Sequence, residues 1–310
     1  MEITAAMVKE LREMTGAGVM ACKKALVETD GDYDKAIEVL REKGEATAVK
    51  KAGRIAAEGT VLAVVKEDKT AAIVEVNSET DFVAKNDKFR TYVANVAEQV
   101  LATSATDVEA FMDEKWMLDE SKTVKEELVS QIAVIGENMS IRRFVKINSD
   151  GVVVPYIHAG GRIGVLVEAD TTVINDEVKE CLKNVAMQIA ALNPKYTSRD
   201  EVSEDFIAHE KEILMAQIKN DPKEASKPEK VIEGMINGRI NKEMKEICLL
   251  DQVYVKAEDG KQSVANYVAE VAKATGSGLK IKGFVRYETG EGIEKKSENF
   301  AEEVAKQMNA

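Results

Sequence analysis

Two histidines and three cysteines are a thin supply for metal or redox chemistry in a chain of 310 residues. His158 and His209 belong to no metal-ligand motif. Cys22, Cys181 and Cys248 lie far apart, form no CxxC pair and are odd in number. They cannot close a full disulfide set, so a reducing compartment is expected. Four prolines and 19 glycines leave little for long loops and point to much helix. No apolar run approaches the roughly 18 residues needed to cross a bilayer. The opening MEITAAMVKELREMTG carries acids and no apolar h-region, so no signal peptide is expected and the cytoplasm is the expected location. There is no GxxxxGK[ST], no GxGxxG after a strand and no GxSxG; the GAGV at 16–19 lacks a preceding strand and reads as a turn. The 43 Lys and Arg fall short of the 55 Asp and Glu, for a net charge of −12. That balance opposes a general nucleic-acid binder, which needs a basic surface, and leaves room only for a local basic patch. No catalytic set, cofactor site or metal site is expected.

What is present is ordered. The length suits about two domains, with room for a small third. Thr4 is a candidate N-cap before Met7, Val8, Leu11 and Met14 at helical spacing. A second helix spans about Val19 to Glu28, with Cys22, Ala25 and Leu26 on one face. A third buries Tyr33, Ala36, Ile37 and Leu40 and is expected to end at Gly44. Three helices in so short a stretch make a bundle of the ubiquitin-associated (UBA-like) type. Residues 46–56, alanine-rich with Lys50, Lys51 and Arg54, read as a helical or flexible linker.

The pattern then changes to strands over Thr60–Lys66 and Ala71–Val76, followed by Asn77–Asn86 and a helix from about Asp87 to Leu101. The same order recurs about 92 residues later. Gly59-Thr-Val-Leu matches Gly151-Val-Val-Val, Ile73-Val-Glu-Val matches Val165-Leu-Val-Glu, and the helix has a counterpart at about 176–191. Each half ends in a similar strand, Arg142-Arg-Phe-Val-Lys-Ile and Lys282-Gly-Phe-Val-Arg-Tyr. The expectation is a duplicated α+β unit whose sheets bury one face under helices.

Two insertions interrupt the halves. Residues 105–137 read as acid-rich helices containing the only tryptophan, Trp116. Residues 202–248 read as an antiparallel helical hairpin with a coiled-coil seam, marked by Phe206, Ile207, Ile213, Leu214 and Ile218, then Val231, Met235, Ile240, Met244 and Ile247. A helix at about 297–308 is amphipathic through Phe300, Val304 and Met308. The organisation expected is a UBA-like bundle at 1–45, a linker at 46–56, a first core subdomain at 57–148, a second at 149–201 and 249–288, the hairpin at 202–248, and a C-terminal helical module at 289–310.

These residues carry a family signature. Met7–Arg12 leading to Thr15-Gly16-Ala17-Gly18 and Cys22–Leu26 resembles translation elongation factor Ts, as does Asn77–Asn86 with TDFVAKN at its centre. Ile135-Gly136-Glu137-Asn138, Arg142-Arg143, His158–Val165 and Phe284–Tyr287 with Gly290–Ile293 fit the same family, so the likeness runs end to end. The resemblance implies guanine-nucleotide exchange on elongation factor Tu, in its GDP-bound and nucleotide-free forms, and no bond-making activity. It implies that Thr80, Asp81, Phe82 and Val83 disturb the partner's Mg2+ and nucleotide site. Arg12, Val19, Met20 and His158 match docking positions. Several roles stay open at this stage: Phe82, Val19 and Met20 read either as core or as partner contacts, and His158, a lone histidine at a strand end, reads either as structural or as a partner contact. Asp81 reads as a helix N-cap, as a polar competitor near the partner's magnesium, or as both. Self-association through the hairpin is also open. A rival reading, an adaptor that captures ligands with its bundle, explains neither the TDFVAKN turn nor the duplication. An enzyme using Asp81 and His158 lacks a second carboxylate, a nucleophile or a metal set.

Overall fold

The computed structural model describes residues 3–294; the helix expected at about 297–308 lies outside the described residues. Three helices open the chain: α1 (Ala5–Thr15), α2 (Val19–Glu28) and α3 (Tyr33–Lys51). Thr4 caps α1 by accepting from Met7 N at 3.3 Å, and Gly16 ends it in the left-handed conformation that glycine adopts most easily. Val8, Leu11, Cys22, Ala25, Leu26 and Ala36 close a small apolar core. Gly44 does not end α3, which continues to Lys51 and takes most of the expected linker with it. Gly44 instead lies buried against Val129 and Ala133, so its missing side chain serves a close helix–helix approach.

Two three-stranded antiparallel sheets follow. β1 (Glu58–Lys66) and β2 (Thr70–Ser78) lead into α4 (Asp81–Ala84), α5 (Asp87–Ala102) and α6 (Val108–Asp113). A short hairpin, β3 (Lys115–Trp116) and β4 (Asp119–Thr123), precedes α7 (Val124–Ile135) and β5 (Met139–Asn148). Trp116 is therefore on a strand and not in a helix; its ring lies 6.1 Å from that of Tyr92. The second half comprises β6 (Val152–His158), β7 (Ile163–Asp170), α8 (Asp176–Leu192), α9 (Glu204–Asn220), α10 (Pro222–Ala225), α11 (Glu229–Ile247), α12 (Val264–Thr275) and β8 (Lys280–Glu288). The sheet orders are β1-β2-β5 and β6-β7-β8, the same arrangement twice.

The duplication is offset in its middle strand. Lys66 pairs with Thr70 across three turn residues, whereas His158 pairs with Ile163 across four. The extra residue moves β7 on by one, so Ile73 corresponds to Leu166 and not to Val165. Strand side chains alternate, so a one-residue slip exchanges the two faces. The structure bears this out: Ile73 and Leu166 share one core, while Val165 lies in another. The bulges also correspond, between Glu75 and Val76 and between Glu168 and Ala169.

The molecule stacks as helix, sheet, sheet, helix. Ala72, Val74 and Val76 pack under α5 and α7, and Val152, Val154, Val165 and Val167 pack under α8 and α12. The opposite faces meet through Val61, Ala63, Ala71, Ile73, Val153, Leu166 and Tyr287. Gly164 sits at this seam, where a Cβ would overlap Val61 and crowd Ile157 and Ile73. Gly164→Ala is expected to lower stability by about 1–3 kcal/mol through overpacking, read as an earlier urea midpoint at unchanged slope.

In the projecting hairpin, Ile218, Ile236, Ile240 and Met244 are buried between α9 and α11. Ile213 and Val231, expected in that seam, are instead exposed at 37% and 46%. No helix among the described residues is long and apolar enough to cross a membrane.

Candidate functional site

The TDFVAKN segment leaves β2 at the rim of the first sheet. Thr80 adopts an extended conformation and its hydroxyl accepts from Val83 N at 3.3 Å, so Thr80, not Asp81, is the N-cap of α4. Asp81 is the first residue of that turn. It pairs with Lys85 at 2.6 Å, and this hydrogen bond holds its carboxyl below the usual carboxylate range despite some desolvation. Asn86 caps α5 by accepting from Lys88 N at 2.9 Å. Two caps within seven residues convert a strand exit into a rigid corner.

On that corner Phe82 is 81% exposed. Its neighbours face the other way: Ala84 is buried, and Val83 is half-buried against the core formed by α5 and α7. An aromatic side chain left in water on a structured turn is unusual, because burying it would release about 2 kcal/mol or more. The corner is pinned from below. Ala84 O accepts from Thr60 Oγ1 at 3.4 Å and from Arg90 Nε at 3.3 Å.

The turn is also pinned from the side, by residues that sequence reasoning gave no role. Glu137 Oε1 accepts from the Thr80 hydroxyl at 2.6 Å, and its Oε2 accepts from Thr80 N at 3.0 Å. Asn138 N donates to Glu79 Oε1 at 2.6 Å, and Asn138 Nδ2 donates to Arg54 O at 2.7 Å. Glu75, further back along β2, is fully buried. It receives Arg143 Nε at 2.6 Å, Arg142 at 3.0 Å, Asn77 Nδ2 at 3.1 Å and Gly290 N at 2.7 Å. Burial pushes its carboxyl up, and these donors more than reverse the effect, leaving it below its ordinary value. One signal for Glu75 was available: an acid interrupting the apolar strand Ala71–Val76, with an Arg142-Arg143 pair elsewhere in the same unit. For Glu137 the only signal was its place in the Ile135–Asn138 stretch that resembles the family, which says nothing of its partner Thr80.

The other residues singled out lie nearby or on the bundle. His158 is exposed at the end of β6, its Nδ1 3.0 Å from the Tyr156 hydroxyl. Its turn reaches the first half where Gly161 O accepts from Val61 N at 2.7 Å and Gly161 lies against Thr60. It therefore shares the rim on which α4 rests. Val19 and Met20 are exposed at 49% and 64% and so are not core, and Arg12 is exposed on α1. Gly16, in the turn before them, lies against Val134 of α7. That same helix runs on into Glu137. The bundle surface and the TDFVAKN corner are thus linked through α7. Among the described residues, no group of three or more His, Cys, Asp or Glu is placed to hold a metal ion. The corner presents a rigid apolar projection beside a fixed charge pair.

The elongation factor Ts family model matches residues 79–291, a stretch that runs from this corner to the segment beyond β8. This chain belongs to the elongation factor Ts family. An elongation factor Ts of Clostridium botulinum strain Eklund 17B is 54% identical over 308 residues, covering 99% of both chains. One of Clostridioides difficile strain 630 is 52% identical over 307 residues, again covering 99% of each. Membership of the elongation factor Ts family implies a role in translation elongation, and the corner at Thr80–Val83 falls inside the matched region.

Proposed function

We propose that this chain is a guanine-nucleotide exchange factor for elongation factor Tu, binding its GDP-bound and nucleotide-free forms and hastening GDP release. The observation that carries this reading is Phe82, a rigid aromatic held out in solvent on a doubly capped corner. A factor can speed release only through contacts that favour the nucleotide-free GTPase, and the coupling is reciprocal: it weakens GDP binding as much as GDP weakens its own. Insertion of Phe82 between elements of the GTPase would supply such contacts. The Mg2+ beside the nucleotide is a sensitive target, because it needs near-octahedral oxygens at about 2.0–2.1 Å. Displacing the segments that hold it leaves the phosphates of GDP under-neutralised. Asp81 would stabilise the displaced state, and Val83 anchors the corner from within. Arg12, Val19 and Met20 on the bundle, and His158 on the shared rim, would dock the partner around it.

The test is stopped-flow release of fluorescent GDP from the cognate elongation factor Tu. Acceleration that saturates with this protein supports the reading. No acceleration would return the chain to the adaptor class.

A further inference from the structure

Glu137 lies outside the TDFVAKN segment, yet it holds Thr80, the N-cap of α4. Its two carboxylate oxygens take both donors of Thr80, the hydroxyl at 2.6 Å and the backbone N–H at 3.0 Å. The same hydroxyl accepts from Val83 N. Thr80 has one hydroxyl proton; with it committed to Glu137, the oxygen lone pairs face Val83. The carboxylate thus fixes the rotamer of the cap as well as its position. Next to it, Asn138 N donates to Glu79 Oε1, and Arg54 lies 3.4 Å from the same carboxylate. Glu79 and Thr80 are matched residue for residue by Asn138 and Glu137, across a gap of almost sixty positions in sequence.

The far end of this knot is also fixed. Gly136 closes α7 in the left-handed conformation, and Lys51, at the last turn of α3, donates to Gly136 O at 2.5 Å. Asn138 Nδ2 holds the chain just beyond α3 at Arg54 O. The bundle, α7 and the Phe82 corner therefore converge on Gly136–Asn138.

We propose that Glu137 is a positioning residue for exchange: it presets the corner so that Phe82 is presented in its inserting geometry before the GTPase arrives. This inference rests on the exchange reading above. A charged acceptor shared by two donors forms shorter, stronger hydrogen bonds than a neutral one, and ordering done before binding is not charged against the complex. Loss of Glu137 leaves Phe82 present but mobile, so the maximal rate falls while the bundle still docks.

The experiment compares wild type, Glu137→Ala, Glu137→Gln, Phe82→Ala and the double variant Glu137→Ala/Phe82→Ala in GDP release from elongation factor Tu over a range of factor concentrations. Glu137→Ala is expected to lower the rate at saturation about tenfold, with the half-saturating concentration within about twofold of wild type. Glu137→Gln, which keeps an acceptor oxygen for the Thr80 hydroxyl but offers an amide to Thr80 N, should fall between. In the Phe82→Ala background the Glu137 change should add nothing, because its effect passes through that ring. A purely structural role would slow the double variant further than Phe82→Ala alone, and that result overturns the proposal. So does a Glu137→Ala protein with the full wild-type rate while Phe82→Ala is slow. If wild type itself fails to accelerate release, the exchange reading falls, and the two failures are told apart. Thermal unfolding of each variant confirms that the rates belong to folded protein.

Discussion

Phe82→Ala is expected to keep the stability of the wild type and to lose most of its effect on GDP release. The two halves of this result have separate physical grounds. The ring is 81% exposed, so truncating it removes little buried surface, and surface changes of this kind stay within about 0.5 kcal/mol. The caps of α4 and α5 come from Thr80 and Asn86 and do not involve the ring. For exchange, an aromatic anchor that fills a partner's pocket carries about 2–4 kcal/mol, or roughly 30- to 1000-fold. The loss should appear in the maximal rate of release, since it is the nucleotide-free state that the ring favours. Phe82→Leu should recover part of it, because a smaller apolar wedge still displaces the partner's elements. An unchanged rate in Phe82→Ala would remove the wedge and transfer the activity to the bundle and His158 contacts.

Glu75→Gln is expected to cost roughly 3 kcal/mol of folding stability near neutral pH, because it breaks a buried ion pair and leaves two arginines facing an amide. The pH dependence has a definite sign. The Glu75 carboxyl titrates below its ordinary value in the folded state, so its contribution is complete above the unfolded carboxyl range near 4.3. It is lost as pH falls through the folded value. Wild type and variant should therefore differ most above about pH 5 and converge in acid, as measured by urea unfolding at several pH values. The second sheet supplies a control. Its equivalent acid, Glu168, meets Lys282 at 2.9 Å at the solvent edge, where that lysine is half exposed. Glu168→Gln should cost less, since water reaches and screens a pair whose lysine is half exposed.

Helix positions were legible because apolar residues recur at helical spacing: α1, α2, α5 and α8 fall where that periodicity places them. What the pattern missed depended on partners distant in sequence. Gly44 looks like a helix stop until Val129 and Ala133 are seen to press on it. Trp116 lies in a two-residue strand too short for any alternation to show. Ile213 and Val231 are apolar, but the α9–α11 seam is narrower than their spacing suggested. The one-residue offset of β7 arises in the turn after His158, whereas a likeness between strands registers only the strands. At the candidate site the Phe82 corner could be read from a local motif. Its support from Glu137 and Asn138 could not, since each of those hydrogen bonds spans nearly sixty residues.

The order in which the sheets are completed has a consequence for synthesis. β5 closes the first sheet soon after α7, but β7 waits for β8 while α8, the hairpin and α12 are made. During that interval β7 offers a bare edge, the kind of surface on which growing chains pair wrongly with one another. Glu75 also waits, because Gly290 N and the Glu291 partners of Arg142 and Arg143 follow β8. The last strand thus delivers in one event the edge of one sheet, Tyr287 for the seam between sheets, and the final donor to a buried carboxylate. A chain that stalls short of it holds an assembled first half around an ionic centre still lacking a ligand, and should be an early target for proteolysis.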